Sequence, residues 1–91
     1  MRVELRHFTW VIAVADELHF GRAAQRLGMS RQSLSNRIRA IEAEVGCALF
    51  CRTTRQVVVT PAGEAFVANA RKALTYAERA HAEAQQAAAR G

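Results

Sequence analysis

Between Leu18 and Ile41 the chain carries five arginines, Arg22, Arg26, Arg31, Arg37 and Arg39, and no acidic residue. Each guanidinium is a planar, permanently charged fork that suits phosphate oxygens and the O6/N7 edge of guanine. Gln32 and Asn36 lie among them, and their amides suit adenine in a bidentate pair. Cations without counter-charges on so compact a stretch form the electrostatic footprint of a duplex-DNA reader. The competing reading is a solvated basic helix face, which charge alone does not exclude.

Such side chains need rigid elements to hold them at a fixed spacing. The stretch reads as two helices around a tight turn: FGRAAQRL, then GMS, then RQSLSNRIRAIEAEV. Arg22 to Leu27 forms the first helix of the pair, and Gly28 suits the left-handed position just past its end. Ser30 is an N-cap for the next helix, its hydroxyl accepting from a free amide of the first turn. Leu34, Ile38, Ile41 and Val45 recur at four, three and four residues and face a core, and Gly46 marks the end. Arg31, Gln32, Ser35, Asn36 and Arg39 then point outward. Close crossing of the pair calls for small residues, which Ala23 and Ala24 supply, while Leu27, Met29 and Leu34 fill the angle between the helices.

The flanks complete a pattern. An upstream helix is predicted over Glu4–Glu17, with Leu5, Phe8, Ile12 and Ala15, joined by Val11 and Leu18, on one buried face. Downstream, LFCR and VVVT surround the polar TTRQ and read as a hairpin. Thr60 caps a long helix with Pro61 at its first position and Glu64 in its first turn. Nothing breaks it before Arg90, which gives about 45 Å of helix. The order fits a mostly α fold: a winged helix-turn-helix of three helices plus a two-stranded wing over 1–60, then a long linker helix over 61–91.

In that fold the second helix of the pair lies in the major groove, which is wide enough to admit it. Arg31 is placed to take guanine, and Gln32 or Asn36 adenine. The amino end of the helix favours a nearby phosphate. Arg22, at the start of its helix, and the outward Arg39 are placed against backbone. Arg55, at the hairpin tip, is placed to enter the adjoining minor groove.

Composition narrows the alternatives. The 91 residues are 51% hydrophobic with a net charge of +5. That is enough for one small domain with a core, although many of the apolar residues are alanine. Nine arginines face five acids in the first sixty residues, against four basic and three acidic side chains afterwards. There is no apolar run of membrane-spanning length and no secretion-type leader, so the expectation is a cytoplasmic protein with reduced thiols and no membrane partner. The chain stops inside an alanine-rich helical stretch, as a piece of a longer protein would.

Phe66, Ala70, Ala73, Ala77, Ala80, Ala84 and Ala87 follow alternating steps of four and three. This heptad seam predicts pairing with the same helix of a second copy, with small residues letting the backbones approach. Cys47 and Cys51 lie four apart; the expectation is one buried and one exposed free thiol, with a redox pair or metal ligation as lesser readings. His7, His19 and His81 are scattered, and no metal spacing forms. No cofactor is expected.

Two other functions compete. An RNA module needs aromatic platforms, yet Phe8, Trp10, Phe20, Phe50, Phe66 and Tyr76 fall mostly on core-facing positions. Catalysis needs a nucleophile with its base, paired acids or a phosphate loop, and none is visible. A module binding nucleic acid or protein without sequence specificity remains the alternative.

The residues from Phe20 to Phe66 also closely resemble the DNA-binding segment of LysR-type transcriptional regulators. The resemblance rests on Phe20, Arg22-Ala23-Ala24, Ser30, Leu34-Ser35, Leu49-Phe50, Arg52, Arg55, Thr60 and Ala62-Gly63, and it runs from the helix pair through the hairpin into the long helix. It implies a bacterial one-component regulator that binds interrupted inverted repeats near promoters, forms tetramers as pairs of dimers, and senses a small molecule through a further C-terminal effector domain. Carried over by residue, base and backbone contacts fall on Arg31, Gln32, Ser35, Asn36 and Arg55, and phosphate contacts on Arg22, Ser30, Ser33 and Arg52. Two departures matter. Arg31-Gln32 stand where the family commonly has Gln-Pro, which alters base preference. Cys51 stands where an acid often precedes the wing arginine, which makes the wing more positive.

Overall fold

The computed structural model describes residues 3–53 and 56–91. The elements run α1 (Leu5–Glu17), α2 (Phe20–Leu27), α3 (Arg31–Val45), β1 (Phe50–Arg52), β2 (Val57–Val59) and α4 (Pro61–Arg90). This is a winged helix-turn-helix followed by a long helix.

Local chemistry sets most boundaries. The α1 helix opens on a reciprocal cap in which the Glu4 N–H donates to His7 Nδ1 at 3.0 Å. It closes at Leu18, whose φ of +50° is left-handed without being glycine. The predicted one-sided face is only partly right. Leu5 and Leu18 are about half exposed, whereas the consecutive residues Val11, Ile12, Ala13 and Val14 are all buried. Three helices pack around the middle of α1, so its whole circumference there must be apolar.

The α2 helix starts two residues earlier than the sequence suggested, because His19 caps it: Nδ1 accepts from the Arg22 N–H at 3.0 Å. Ala23 and Ala24 are buried in the close crossing with α1 and α3. Gly28 holds φ +67° after α2, and Gly46 holds φ +87° after α3. Ser30 caps α3 by accepting from the Ser33 N–H at 3.1 Å. Leu34, Ile38 and Ile41 are buried as expected, but Val45 is 42% exposed. It lies in the last turn of α3, past the end of the core.

In the wing, Phe50 pairs with Val59, Cys51 with Val58 and Arg52 with Val57, antiparallel. Phe50 is buried, with its ring edge-on to Phe20 at 6.5 Å. Thr60 joins the wing to α4 through three bonds: its hydroxyl accepts from the Gly63 N–H at 3.0 Å and donates to the Ala48 carbonyl at 2.7 Å, and its N–H donates to the Leu49 carbonyl at 3.0 Å. The first turns of α4 pack on α1, with Phe66 edge-on to Phe8 at 5.7 Å.

One seam residue therefore belongs wholly to the single chain: Ala70 has no exposed surface and is not free for a second copy, whereas Phe66 is half-buried. Ala73 and Ala77 are half-buried, while Ala80, Ala84 and Ala87 are exposed. The far half of α4 projects away and makes the molecule 56 Å long by 26 by 21 Å. Both cysteines are exposed and free, which corrects the expectation that one is buried.

Candidate nucleic-acid interface

The outward face of α3 is built as the period of the helix requires. Arg31, Gln32, Asn36 and Arg39 are exposed and Ser35 is half-buried, opposite the buried Leu34, Ile38 and Ile41. Gln32 Nε2 donates to Asn36 Oδ1 at 3.2 Å. The two amides thus order each other before any base arrives.

Arg31, Ser35 and Arg39, one turn apart, form one wall of a cleft of about 290 Å³. Arg52, Thr53, Gln56 and Val57 from the wing face them, and Leu18, His19 and Phe20 close the end. Three guanidiniums thus converge between α3 and the wing, a concentrated positive potential. His19, Thr53 and Gln56 were not singled out in the sequence. The loop positions carry no periodic signal, and His19 is legible only as an unusual residue at a helix cap.

Space neutralises part of the charge that the sequence leaves bare. Arg26 donates to Asp16 at 3.0 Å and reaches Glu17 at 3.5 Å. Arg22 donates to the Glu17 carbonyl oxygen at 3.2 Å and lies 3.7 Å from its carboxylate. Asp16 also binds Arg71 of α4, and these bonds hold its carboxyl below the usual range despite some burial. Arg37 sits over the Trp10 ring at 4.7 Å and donates to Ser33 Oγ at 3.3 Å. Of the five arginines that opened the sequence reading, only Arg31 and Arg39 lack a partner among the described residues.

The remaining expected contacts divide. Ser30 uses its oxygen as a cap yet keeps its hydroxyl proton at the exposed start of α3. Ser33 is half-buried and engaged by Arg37. Arg52 is already enclosed: Nη1 donates to Ser35 Oγ at 2.7 Å, Nη2 lies 3.4 Å from Glu42 Oε1, and the guanidinium carbon is 4.3 Å from the Phe20 ring centre. Burial pulls its pKa below the ordinary arginine value while Glu42 opposes the shift; it stays charged at any physiological pH. Arg55 lies outside the described residues.

The chain matches the model of bacterial regulatory helix-turn-helix proteins of the lysR family over residues 5–64. It is 46% identical over 86 residues to the uncharacterized HTH-type transcriptional regulator YnfL of Escherichia coli (strain K12), covering 94% of this chain and 29% of YnfL. The HTH-type transcriptional regulator AlsR of Bacillus subtilis (strain 168) is 53% identical over 72 residues, covering 79% of this chain and 24% of AlsR. This chain thus spans under a third of either relative. Its fold superimposes on the DNA-binding domain of CbnR in a DNA complex with a TM-score of 0.90 at 35% identity, covering 94% of this chain and 99% of that one. For the BenM DNA-binding domain on benA site 1 DNA the TM-score is 0.89 at 34% identity, covering 94% of this chain and 97% of that one. On the shared sequence and the shared fold, this chain belongs to the lysR family of bacterial regulatory helix-turn-helix proteins.

Proposed function

We propose that this chain is the sequence-specific, double-stranded-DNA-reading part of a bacterial transcriptional regulator, with α3 in the major groove and the wing on the flanking minor groove. The observation that carries it is the outward face of α3, where the unpartnered Arg31 and Arg39 flank the paired amides of Gln32 and Asn36. Arg31, Gln32 and Asn36 read base edges, while Arg39, Ser30 and the amino end of α3 hold backbone. Arg22 is exposed enough to add a phosphate contact by exchanging Glu17 for it. Arg55 enters the minor groove.

The region 1–60 is the reading unit, and 61–91 pairs with its copy through Ala73, Ala77, Ala80, Ala84 and Ala87, which places two α3 helices on an inverted repeat. In the whole protein, an effector domain for a small molecule follows and dimers join into tetramers. The protein acts in the cytoplasm and is not an enzyme.

Selection from a random duplex pool tests this reading. The expected result is enrichment of an interrupted inverted repeat, with duplex outcompeting single-stranded RNA of equal charge. Equal retention of every sequence would support an unspecific binder instead.

A further inference from the structure

The Arg52 guanidinium joins three elements that the chain order keeps apart. One Nη donates to Ser35 on α3 and the other faces Glu42 two turns further along the same helix face, while the ring of Phe20 on α2 covers its plane. Glu42 is divided in the same way. Its Oε1 faces Arg52, and its Oε2 accepts from the N–H groups of Leu49 at 2.8 Å and Phe50 at 3.1 Å, where the wing begins. The side chains of Arg52 and Glu42 are only 21% and 15% exposed. Because Arg52 pairs with Val57 across the hairpin, whatever fixes Arg52 fixes both strands.

From this geometry we infer that Ser35 is a positioning residue for the wing rather than a reader of bases. The Ser35 hydroxyl and the Glu42 carboxylate hold the Arg52 fork so that α3 and the wing meet DNA as one rigid body. The inference rests on the DNA-reading function proposed above. A planar fork can satisfy a hydroxyl, a carboxylate and a ring face at once, whereas the point charge of lysine cannot keep all three. A base that donates to Ser35 Oγ would have to compete with a charge-assisted bond at 2.7 Å, and the hydroxyl proton that remains sits on an oxygen already fixed by Arg52. The clamp therefore acts at base pairs under the wing, away from those beneath Arg31 and Gln32.

The test uses wild type, Ser35→Ala, Arg52→Lys, their double variant and Glu42→Gln. The last keeps an oxygen for the Leu49 and Phe50 amides but turns an amide nitrogen toward Arg52, so it breaks the pair without uncapping the turn. Two quantities are read: amide exchange of residues 50–59 in the free protein, and position-by-position base preference from the random duplex pool. Each single variant should speed wing exchange and flatten preference at wing-side positions, leaving preference under Arg31 intact. The double variant should be no worse than either single, a departure from multiplicativity of roughly fivefold or more.

The clamp is overturned if Ser35→Ala shifts preference at the central major-groove positions while wing exchange is unchanged, or if the two substitutions simply multiply. Retention of wild-type preference at the wing-side positions by Arg52→Lys would overturn it as well. A wild-type chain that enriches no sequence overturns the proposed function and this inference together. Site selection by the wild type with the wrong variant pattern overturns the clamp alone.

Discussion

Gly63, in the first turn of α4, faces the Leu49 carbonyl so closely that a Cβ at this position would lie 2.1 Å from the oxygen and 2.8 Å from a Val59 methyl. The neighbouring atom is backbone, held by the Thr60 N–H, so it cannot swing aside. Gly63→Ala should therefore cost about 3 kcal/mol, the upper end of the overpacking range, and lower the melting temperature by about 10 °C or more. Thermal circular dichroism checks this, and an unchanged melt would mean that α4 does not close on the wing as described.

Acid sensitivity should pass through Asp16. Its carboxyl is held low first by the hydrogen bond from Arg71 and then by that from Arg26, against some desolvation. A depressed folded-state pKa contributes stability that is full above the unfolded carboxylate value, about 3.9, and is lost as pH falls through the lower folded value. Solvent screening limits the gain to about 1 kcal/mol or less. Asp16→Asn should melt a few degrees below wild type at pH 7, and the two curves should meet once pH drops well below about 4. A gap that persists at pH 2 would assign the difference to packing instead.

Arg31 and Arg39 should separate by the kind of loss they cause. Arg31→Ala is expected to weaken the selected site by about 1–3 kcal/mol and relax preference at one base position. Arg39→Ala should weaken all duplexes alike and make the salt slope shallower by about one. Titrations at several salt concentrations, on selected and scrambled duplexes, distinguish them. Identical profiles for the two variants would contradict the division into base and backbone contacts.

Two alanines of the α4 seam should respond differently to the same change. Ala84 is exposed on the projecting half, so Ala84→Glu should leave the fold intact and weaken self-association at least about tenfold by setting like charges against each other. Ala70 has no exposed surface, so Ala70→Glu buries a charge and should destabilise the monomer itself. Sedimentation and melting measured together check both, and Ala84→Glu that sediments like wild type would move the pairing face elsewhere.

The order of elements was legible because each boundary is a local event. Ser30, Thr60, Gly28 and Gly46 act within four residues of themselves, so residue type and spacing suffice. The α1 core was misread because its burial comes from three packed helices rather than from its own period. The His19 cap and the Glu42 bonds to Leu49 and Phe50 were invisible for a related reason. An imidazole accepting a backbone amide, or a carboxylate bridging seven and eight residues, has no sequence signature.

The residue pattern alone was enough to say that a basic helix pair with a wing and a long helix would form, and which face of α3 would look outward. Which cations remain available was a matter for packing. Asp16 and Glu17 precede the acid-free stretch, yet they reach Arg26 and Arg22 in space, and Trp10 takes Arg37. Arg31 and Arg39 stay open, and Arg52 turns inward to hold the wing. The reason is that periodicity is a property of one helix, whereas an ion pair depends on the distance between two, and only the assembled chain sets that distance.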